Sequence, residues 1–397
     1  MRRRWSTAVV LAAALVLTPL PATARSTGQE LAFTGWVGAD VRQRLLVLDT
    51  ADTATAEPRT VAPGGIADLA WSADGSRLAW IGFEEPTGPV ADTETTLYSA
   101  RPDGTDRRTL LAGSSLADVA AAPDGGFAVA RSDVRDLVDC AGHPPVPAAD
   151  ITLVSPAGRT RRLTDTPVNT WALQFSRDGA DLVWASSDGD PCGSSSWPHL
   201  NLTDVATGTT RAVTGARSLQ SPTFSGDGRT VLAATSDEFG DDLVRVDVAT
   251  ASARRVQTPG FSERLPSVSP SGDTVAVVRT AVVPDPHTYF RPVQDPHVAV
   301  LDLEGNLLRD LGAVDLQVDQ LAWSPDGSTV AVAGANFVPD TPGSDVGSAD
   351  PAVWTFPTAG GTPRRLSDSA GFATAGLAFR PTFPDPPTLV RGTRDRR

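Results

Sequence analysis

The sequence predicts an all-β protein with the architecture of a β-propeller. A hydrophobic strand, a tight turn containing Gly and a second hydrophobic strand recur along the 397 residues, most clearly at Leu69–Gly82 and Leu321–Gly334. The turn glycines of five clear copies and one weaker copy, at Val119–Arg131, are 44 to 55 residues apart; they are Gly75, Gly125, Gly179, Gly228, Gly272 and Gly327. A repeat of this period is typical of propellers and solenoids, in which each repeat forms one structural unit.

Each repeat contains four short hydrophobic segments, which we name strands A to D. In the first repeat they are Asp68–Ser72, Arg77–Gly82, Thr96–Ala100 and Arg108–Leu111. These segments are rich in β-branched and aromatic residues and are bounded by Gly, Pro, Asp and Ser, as strands are. The predicted units are Ile66–Leu111, Leu116–Leu163, Thr170–Val213, Leu219–Val256, Arg264–Leu311 and Val318–Leu366.

The two ends of the chain supply the strands of one further unit. Gly376–Phe379 is similar to strand A, while Leu31–Trp36, Leu45–Asp49 and Arg59–Val61 are similar to strands B, C and D. Closing a ring with both chain ends removes exposed sheet edges. The prediction is therefore seven four-stranded blades, the last closed by both termini, with six or eight blades as the alternative.

An aromatic residue precedes the turn serine in several repeats, as at Trp71, Phe175, Phe224 and Trp323. Such a stripe could line a ligand pocket. Because aromatic side chains dominate burial in cores of this kind, we expect them to pack between neighbouring blades.

Residues 1–24 are predicted to be a secretory signal peptide. Three arginines precede the apolar segment Ala8–Leu17, and Ala22-Thr23-Ala24 supplies the small residues of a cleavage site. The expected mature chain is a single propeller domain at 25–392 followed by a basic tail at 393–397. The location expected is secreted, periplasmic or at the cell envelope.

The formal net charge is −13, which becomes −16 when the three arginines of residues 1–24 are removed. An acidic protein gains no counterion release on nucleic acid and is repelled by anionic lipid. Nucleic acid is therefore excluded as a partner, and no membrane insertion is expected after signal cleavage. We expect a monomer.

Cys140 and Cys192 are the two cysteines of the chain. An even cysteine count in an exported protein predicts a disulfide. The two residues lie in the B–C insertions of consecutive blades, so a bridge would join adjacent loops on one face.

The repeated phrase resembles that of TolB-type propellers, which are similar to WD-repeat proteins. The resemblance rests on LAWSADGSRLAW and LAWSPDGSTVAV, beginning at Leu69 and Leu321, and covers essentially the mature chain. It implies an exported bacterial propeller. TolB has six blades behind a separate N-terminal domain, whereas this chain has seven units and no such segment. A similar repeat occurs in prolyl oligopeptidase-like enzymes, but the G-x-S-x-G nucleophile motif of their hydrolase domain is missing from this sequence.

The B–C connections vary most in length, and long loops on a rigid scaffold usually carry binding function. They are 83–95, 132–149, 187–198, 236–241, 281–296 and 335–351. All four histidines lie in or beside them, and the fifth carries an aromatic–arginine cluster typical of binding hot spots. The candidate binding residues are His143, His199, His287, Tyr289, Phe290, Arg291 and His297. The alternative is that the aromatic residues pack down onto the ring.

No metal or other cofactor is predicted, because the spacings of strong metal motifs are missing. Two arrangements nevertheless admit a divalent ion such as calcium or zinc. Asp285 and Asp295 accompany His287 and His297, and an acidic loop contains Asp237, Glu238, Asp241 and Asp242.

The function predicted is that of an exported, non-catalytic scaffold, which binds a protein or peptide partner in the cell envelope or outside the cell through its B–C loops. The alternative is a lactonase, lyase or hydrolase with a His/carboxylate or metal site at the central channel. No catalytic residue is assigned, and whether the chain is an enzyme stays open, with the non-catalytic interpretation preferred. Convergence of the histidines on the channel would favour the enzyme.

Overall fold

The computed structural model describes residues 29–37, 40–50, 58–83, 94–138, 146–165, 170–186, 198–235, 241–256, 258–282, 293–339, 347–366 and 376–382. Within these ranges all regular structure is strand, and no helix is long and apolar enough to cross a bilayer. The predicted signal peptide, the basic tail and both cysteines lie outside the described residues.

The strands form seven four-stranded antiparallel blades, which we number I to VII, each ordered A to D from the centre outwards. Blade I is β4 Gly65–Trp71, β5 Leu78–Phe83, β6 Thr95–Ala100 and the start of β7 Arg108–Ala121; blade II is the end of β7, β8 Phe127–Val138, β9 Val146–Val154 and β10 Thr160–Arg162. Blade III is β11 Thr170–Phe175, β12 Asp181–Ser186, β13 His199–Asp204 and β14 Thr210–Ala212; blade IV is β15 Leu219–Phe224, β16 Thr230–Thr235, β17 Leu243–Asp247 and β18 Ser252–Arg255. Blade V is β19 Phe261–Val268, β20 Thr274–Val282, β21 Val293–Asp302 and β22 Leu307–Ala313; blade VI is β23 Gln317–Trp323, β24 Thr329–Pro339, β25 Gly347–Pro357 and β26 Arg364–Arg365. Blade VII is β27 Leu377–Phe379, β1 Glu30–Val37, β2 Asp40–Asp49 and β3 Arg59–Pro63.

The predicted closure by both chain ends is confirmed. Strand β27 pairs with β1 in antiparallel register, with Leu31 opposite Phe379 and Phe33 opposite Leu377. Arg380 then binds Glu30 at 2.5 Å and donates from Nε to the carbonyl of Gly75 in blade I. The ends of the chain therefore complete blade VII and tie it to blade I.

Hydrophobic side chains fill the seven gaps between consecutive blades. Each of seven buried clusters takes residues from two neighbouring blades, including the cluster that joins blade VI to blade VII. The aromatic stripe belongs to these clusters, so its predicted packing role is confirmed. Trp71 is buried and donates from Nε1 to the carbonyl of Ala378, 3.0 Å away in blade VII.

The A–B turns follow one hydrogen-bond scheme. In blade I the amide of Gly75 donates to the carbonyl of Ser72, and Gly75 takes a φ of 60°. The Asp74 carboxylate accepts from the Ser76 amide, an Asx-type closure. The phrase repeats in the sequence because this turn needs a left-handed residue directly after an acceptor side chain.

The B–C connections depart from the sequence prediction, which treated them as loops. In blades II, V and VI the B and C strands continue past the ring as paired hairpins, up to the pairs Val138–Val146, Val282–Val293 and Pro339–Gly347. Pairing satisfies the backbone hydrogen bonds that an extended loop would leave to water. We call the face that carries the B–C and D–A connections the BC face, and its extended hairpins the arms.

Candidate functional site

The strands nearest the axis surround a central channel with a cavity of about 350 Å³. All seven blades contribute to its wall, which is rich in carboxyl, amide and hydroxyl groups. The polar side chains on the wall are Asp68, Asp118, Gln174, Ser221, Thr223, Ser267, Asp319 and Gln320.

The channel strands are bulged, because the pairing of A with B shifts register in each of blades I to VI. At the bulges of blades III, IV and V, the residues Ala172, Ser221 and Leu265 have φ values of 54°, 52° and 53°. Left-handed backbone is unusual for such side chains and is often found at functional sites. A bulge also re-aims neighbouring side chains, here towards the channel.

Polar side chains on the wall connect consecutive blades from blade I to blade V. Asp68 accepts from the amide of Val119 at 2.8 Å, and Asp118 accepts from the amide of Ala172. Gln174 and Thr223 continue the series: each accepts from a backbone amide of the following blade, at 2.7 Å and 3.2 Å. Channel side chains thus join blades I to V in sequence.

The carboxyl groups of Asp68 and Asp118 lie close enough together for each to influence the ionisation of the other. Burial raises the pKa of Asp68 well above its usual value, and the charge of Asp118 raises it further. Burial also raises the pKa of Asp118, to about 6, against the lowering effect of the amides of Ala172 and Leu173. Both side chains keep partial contact with the channel, but the surrounding protein leaves their charges poorly solvated. Such a pair can give and take a proton near neutral pH.

A third channel carboxyl lies in blade VI. Burial raises the pKa of Asp319, while the charge of Arg264 in blade V lowers it. The neighbouring Gln320 stands at the same distance from its turn glycine as Asp68 and Asp118 do from theirs. The acidic wall therefore spans blades I, II and VI.

The candidate binding residues predicted from the sequence do not meet in the channel where the structure describes them. His199 opens strand β13, where its Nε2 lies 3.1 Å from the Ser186 hydroxyl, and that hydroxyl also accepts from Asn201. Ser186 is fully buried, so this Ser–His pair offers no accessible nucleophile. His297 lies in β21 with its Nδ1 2.9 Å from both oxygens of Asp310. Neither histidine lines the channel cavity. The residues outside the described ranges are His143, His287, Tyr289, Phe290 and Arg291.

The acidic loop is described only at its end, since Asp237 and Glu238 lie outside the described residues. Asp242 forms an ion pair with Arg255 at 2.7 Å, and the amide of Asp241 donates to the Ser262 hydroxyl. Within the described ranges, no three His, Cys, Asp or Glu residues are grouped as metal ligands. The divalent-ion alternative gains no support from Asp241 and Asp242.

Comparison with known proteins agrees with the fold. No protein-family profile and no curated protein matches the sequence. Among solved structures, TolB from Acinetobacter baumannii aligns over 88% of this chain and 82% of its own, with 17% identity and a TM-score of 0.51. In fold, the chain is a TolB-like β-propeller.

Two enzymes have similar propellers. An oligogalacturonate lyase from Vibrio parahaemolyticus aligns over 85% of this chain and 86% of its own, with 14% identity and a TM-score of 0.56. An acylaminoacyl peptidase from Pyrococcus horikoshii aligns over 85% of this chain but 51% of its own, with 9% identity and a TM-score of 0.57. At these identities the likeness concerns the fold alone, and function must be argued from the sites of this chain.

Proposed function

We propose that this TolB-like propeller is an exported, non-catalytic scaffold that binds a protein or peptide partner through the arms of its BC face. The observation that carries the proposal is the arm of blade VI. Strands β24 and β25 pair over eleven residues, against six for the B–C pair of blade III. At about 3.3 Å per residue, the extra five residues extend the hairpin by roughly 17 Å.

The edges of this arm favour binding of an extended peptide. The last A–B pair of blade VI joins Gln317 to Ala335, and the outermost C–D ladder pair joins Trp354 to Arg365. Beyond these points no other described strand pairs with residues 336–339 and 347–350 of the arm, so the outer backbone groups of these residues have no partner strand among the described residues. Unpaired strand edges of this kind bind extended segments of other chains.

The test is to shorten the arm and compare partner binding. Replacing residues 336–350 by Asn-Gly should leave the ring folded, because a two-residue turn can close a hairpin. The matched control is the double substitution Leu307→Ser/Leu308→Ser, which alters two leucines that are 49% and 55% exposed at the opposite end of blade V.

We expect the full-length mature protein, incubated with native envelope extract, to form a stoichiometric complex that persists in gel filtration. The control should retain that complex, and the shortened variant should bind the purified partner at least tenfold more weakly. Equal affinity of the shortened variant, or failure of the wild type to form any complex, would overturn the proposal.

A second candidate function is acid–base catalysis in the channel, favoured by the neighbouring carboxyl groups of Asp68 and Asp118. Two carboxyl groups with raised pKa values that border a cavity of about 350 Å³ suit a lyase or hydrolase. Its test is turnover of a panel of glycoside, lactone and ester substrates by wild type and Asp118→Asn. A substrate consumed by the wild type and not by the variant would support catalysis. No turnover across the panel would leave the scaffold as the better account.

A further inference from the structure

Three side chains form a row across blade V near the BC face. Glu263 on β19 is paired with Arg279 on β20, and Arg279 is paired in turn with His297 on β21. Directly opposed residues of antiparallel strands project from the same face of a sheet. Val277 and Ala299, which share that face, pack against blade IV, so the row lies in the gap between blades IV and V.

The guanidinium of Arg279 has an ionic contact on one edge and an aromatic ring against its plane. Its Nε lies 3.2 Å from a carboxylate oxygen of Glu263, without the alignment of a hydrogen bond, and its Cζ lies 3.7 Å from the centre of the Phe261 ring. Its side chain is 12% exposed. Neither Nη1 nor Nη2 donates a hydrogen bond to any residue that the structure describes, so two parallel donors are left over.

Burying an ion pair of this kind is expensive, and an apolar pair would pack a blade at lower cost. Glu263 is fully buried, and its second oxygen accepts from the hydroxyl of Thr258. The stability of the blade alone therefore does not account for the Glu263–Arg279 contact, which keeps the guanidinium beside the buried carboxylate by charge and not by a hydrogen bond.

The surroundings of Arg279 resemble the centre of a peptide interface. Phe261 is 38% exposed although it stacks on the guanidinium, and an arginine beside an exposed aromatic residue is a frequent hot-spot combination. On the side of Arg279 opposite Glu263, the carboxylate of Asp310 is hydrogen-bonded to Nδ1 of His297, which leaves Nε2 as the ring nitrogen that can contact a ligand. Nearby Asp242 is already paired with Arg255, so its charge opposes an anion only weakly.

We propose that Arg279, with Phe261 and His297 beside it, binds a carboxylate group of an acidic peptide. The inference rests on the proposed function, and it names the chemistry of the partner. A carboxylate is the planar, two-acceptor group that matches the two parallel donors of a guanidinium. The ring of Phe261 would cover the apolar part of the ligand. The carboxylate can belong to an aspartate side chain or to a chain terminus.

The experiment titrates the full-length mature protein with labelled short peptides and measures fluorescence anisotropy. One probe carries a single internal Asp with both ends capped, a second carries a free C-terminal carboxylate, and a third replaces Asp by Asn and is fully capped. We expect at least one carboxylate probe to bind tenfold more tightly than the Asn probe. The stronger of the first two identifies the source of the carboxylate.

Arg279→Lys keeps the charge but removes the fork, so it should weaken carboxylate binding at least tenfold. Phe261→Ala leaves the buried Glu263–Arg279 pair intact and should weaken carboxylate binding about threefold. This second variant keeps the test valid if the arginine variant unfolds. Arg254→Gln is the matched control, because it removes an exposed positive charge from the neighbouring strand β18 while leaving both the fork and the Arg255–Asp242 pair in place, and it should change binding less than twofold.

Equal binding of the carboxylate and Asn probes, or equal binding by wild type and the two site variants, would overturn the proposal. The variant with the shortened blade VI arm keeps blade V intact and should bind the carboxylate probe like the wild type. If the arm-dependent partner complex forms while no carboxylate probe binds, this inference fails and the scaffold function stands. If the probe binds while no partner complex forms, the scaffold function fails.

Discussion

The carboxyl pair of the channel makes the pH dependence of stability a sharp prediction. In the native protein the pKa of Asp118 is raised to about 6 from an ordinary value of 3.8. Between these two pH values the native state holds a proton that the unfolded chain has already released. Folding stability therefore falls as the pH rises through this window, and the pKa of Asp68, raised in the same direction, adds to the fall.

The size of the effect follows from the shift. At 1.36 kcal/mol per pKa unit, Asp118 alone accounts for at most about 3 kcal/mol. Partial contact with channel water reduces this, so we expect about 1–2 kcal/mol to be lost between pH 4 and pH 7. Asp118→Asn removes the charge but keeps an oxygen for the Ala172 amide and adds a donor for Asp68. The variant should therefore be more stable than the wild type at pH 7 by a similar amount.

Urea unfolding followed by tryptophan fluorescence at several pH values from 4 to 8 measures both quantities. The control is Asp178→Asn in an A–B turn, where the amide of Ala180 and then the hydroxyl of Ser176 lower the pKa of the aspartate. A carboxyl group whose pKa is lowered in the native state stabilises the fold at pH values above its ordinary pKa, and this contribution is lost as the pH falls. Asp178→Asn should therefore be less stable than the wild type at neutral pH. If wild-type stability does not fall between pH 4 and pH 7, or if the stability of Asp118→Asn falls with the same slope, the argument from the raised pKa of Asp118 is wrong.

Two further predictions concern the closure of the ring. Gly228→Ala should lower the free energy of unfolding by about 1 kcal/mol, because its φ is +69° and no atom lies within 4 Å of the new Cβ. Gly75→Ala should lower it by at least about 1 kcal/mol more, because the new Cβ would lie 2.5 Å from the carbonyl oxygen of Pro381. Equal costs in urea unfolding would mean that the C-terminal segment gives way. Trp71→Phe should lower the free energy of unfolding by about 2–3 kcal/mol, because it opens a cavity and leaves the carbonyl of Ala378 without its donor. A loss below about 0.5 kcal/mol would show that the tryptophan does not hold blade I to blade VII.

The fold could be predicted from the sequence because its determinants are local and repeated. Each A–B turn needs a glycine at positive φ, and each turn is followed by an alternating strand, so the turn glycines mark the blades. The seventh blade followed from strand-like segments at the two ends, and the pairing of Leu31 with Phe379 confirms it. The arms were missed because hydrophobic alternation is weak in the B–C insertions.

The channel site was only partly accessible to sequence reasoning. Asp68 and Asp118 both stand seven residues before a turn glycine, which was a usable signal of equivalent positions in neighbouring blades. The proximity of their carboxyl groups depends on the curvature of the ring and on bulges in the A strands. Neither is encoded in the local pattern of one repeat. The positions of the histidines in the sequence favoured the BC face instead. The two described histidines, His199 and His297, contact Ser186 and Asp310 and do not line the channel.

The bridges between blades bear on why the channel holds carboxyl groups at all. In blades III and IV, Gln174 and Thr223 accept from the next blade without any charge. A neutral acceptor is therefore sufficient for this structural role, and a buried carboxyl performs it at a cost in stability. If Asp118→Asn is more stable than the wild type at pH 7, the bridge alone does not account for the carboxyl. In that case the raised pKa values of the neighbouring carboxyl groups of Asp68 and Asp118 become the stronger argument for chemistry in the channel, alongside binding at the arms.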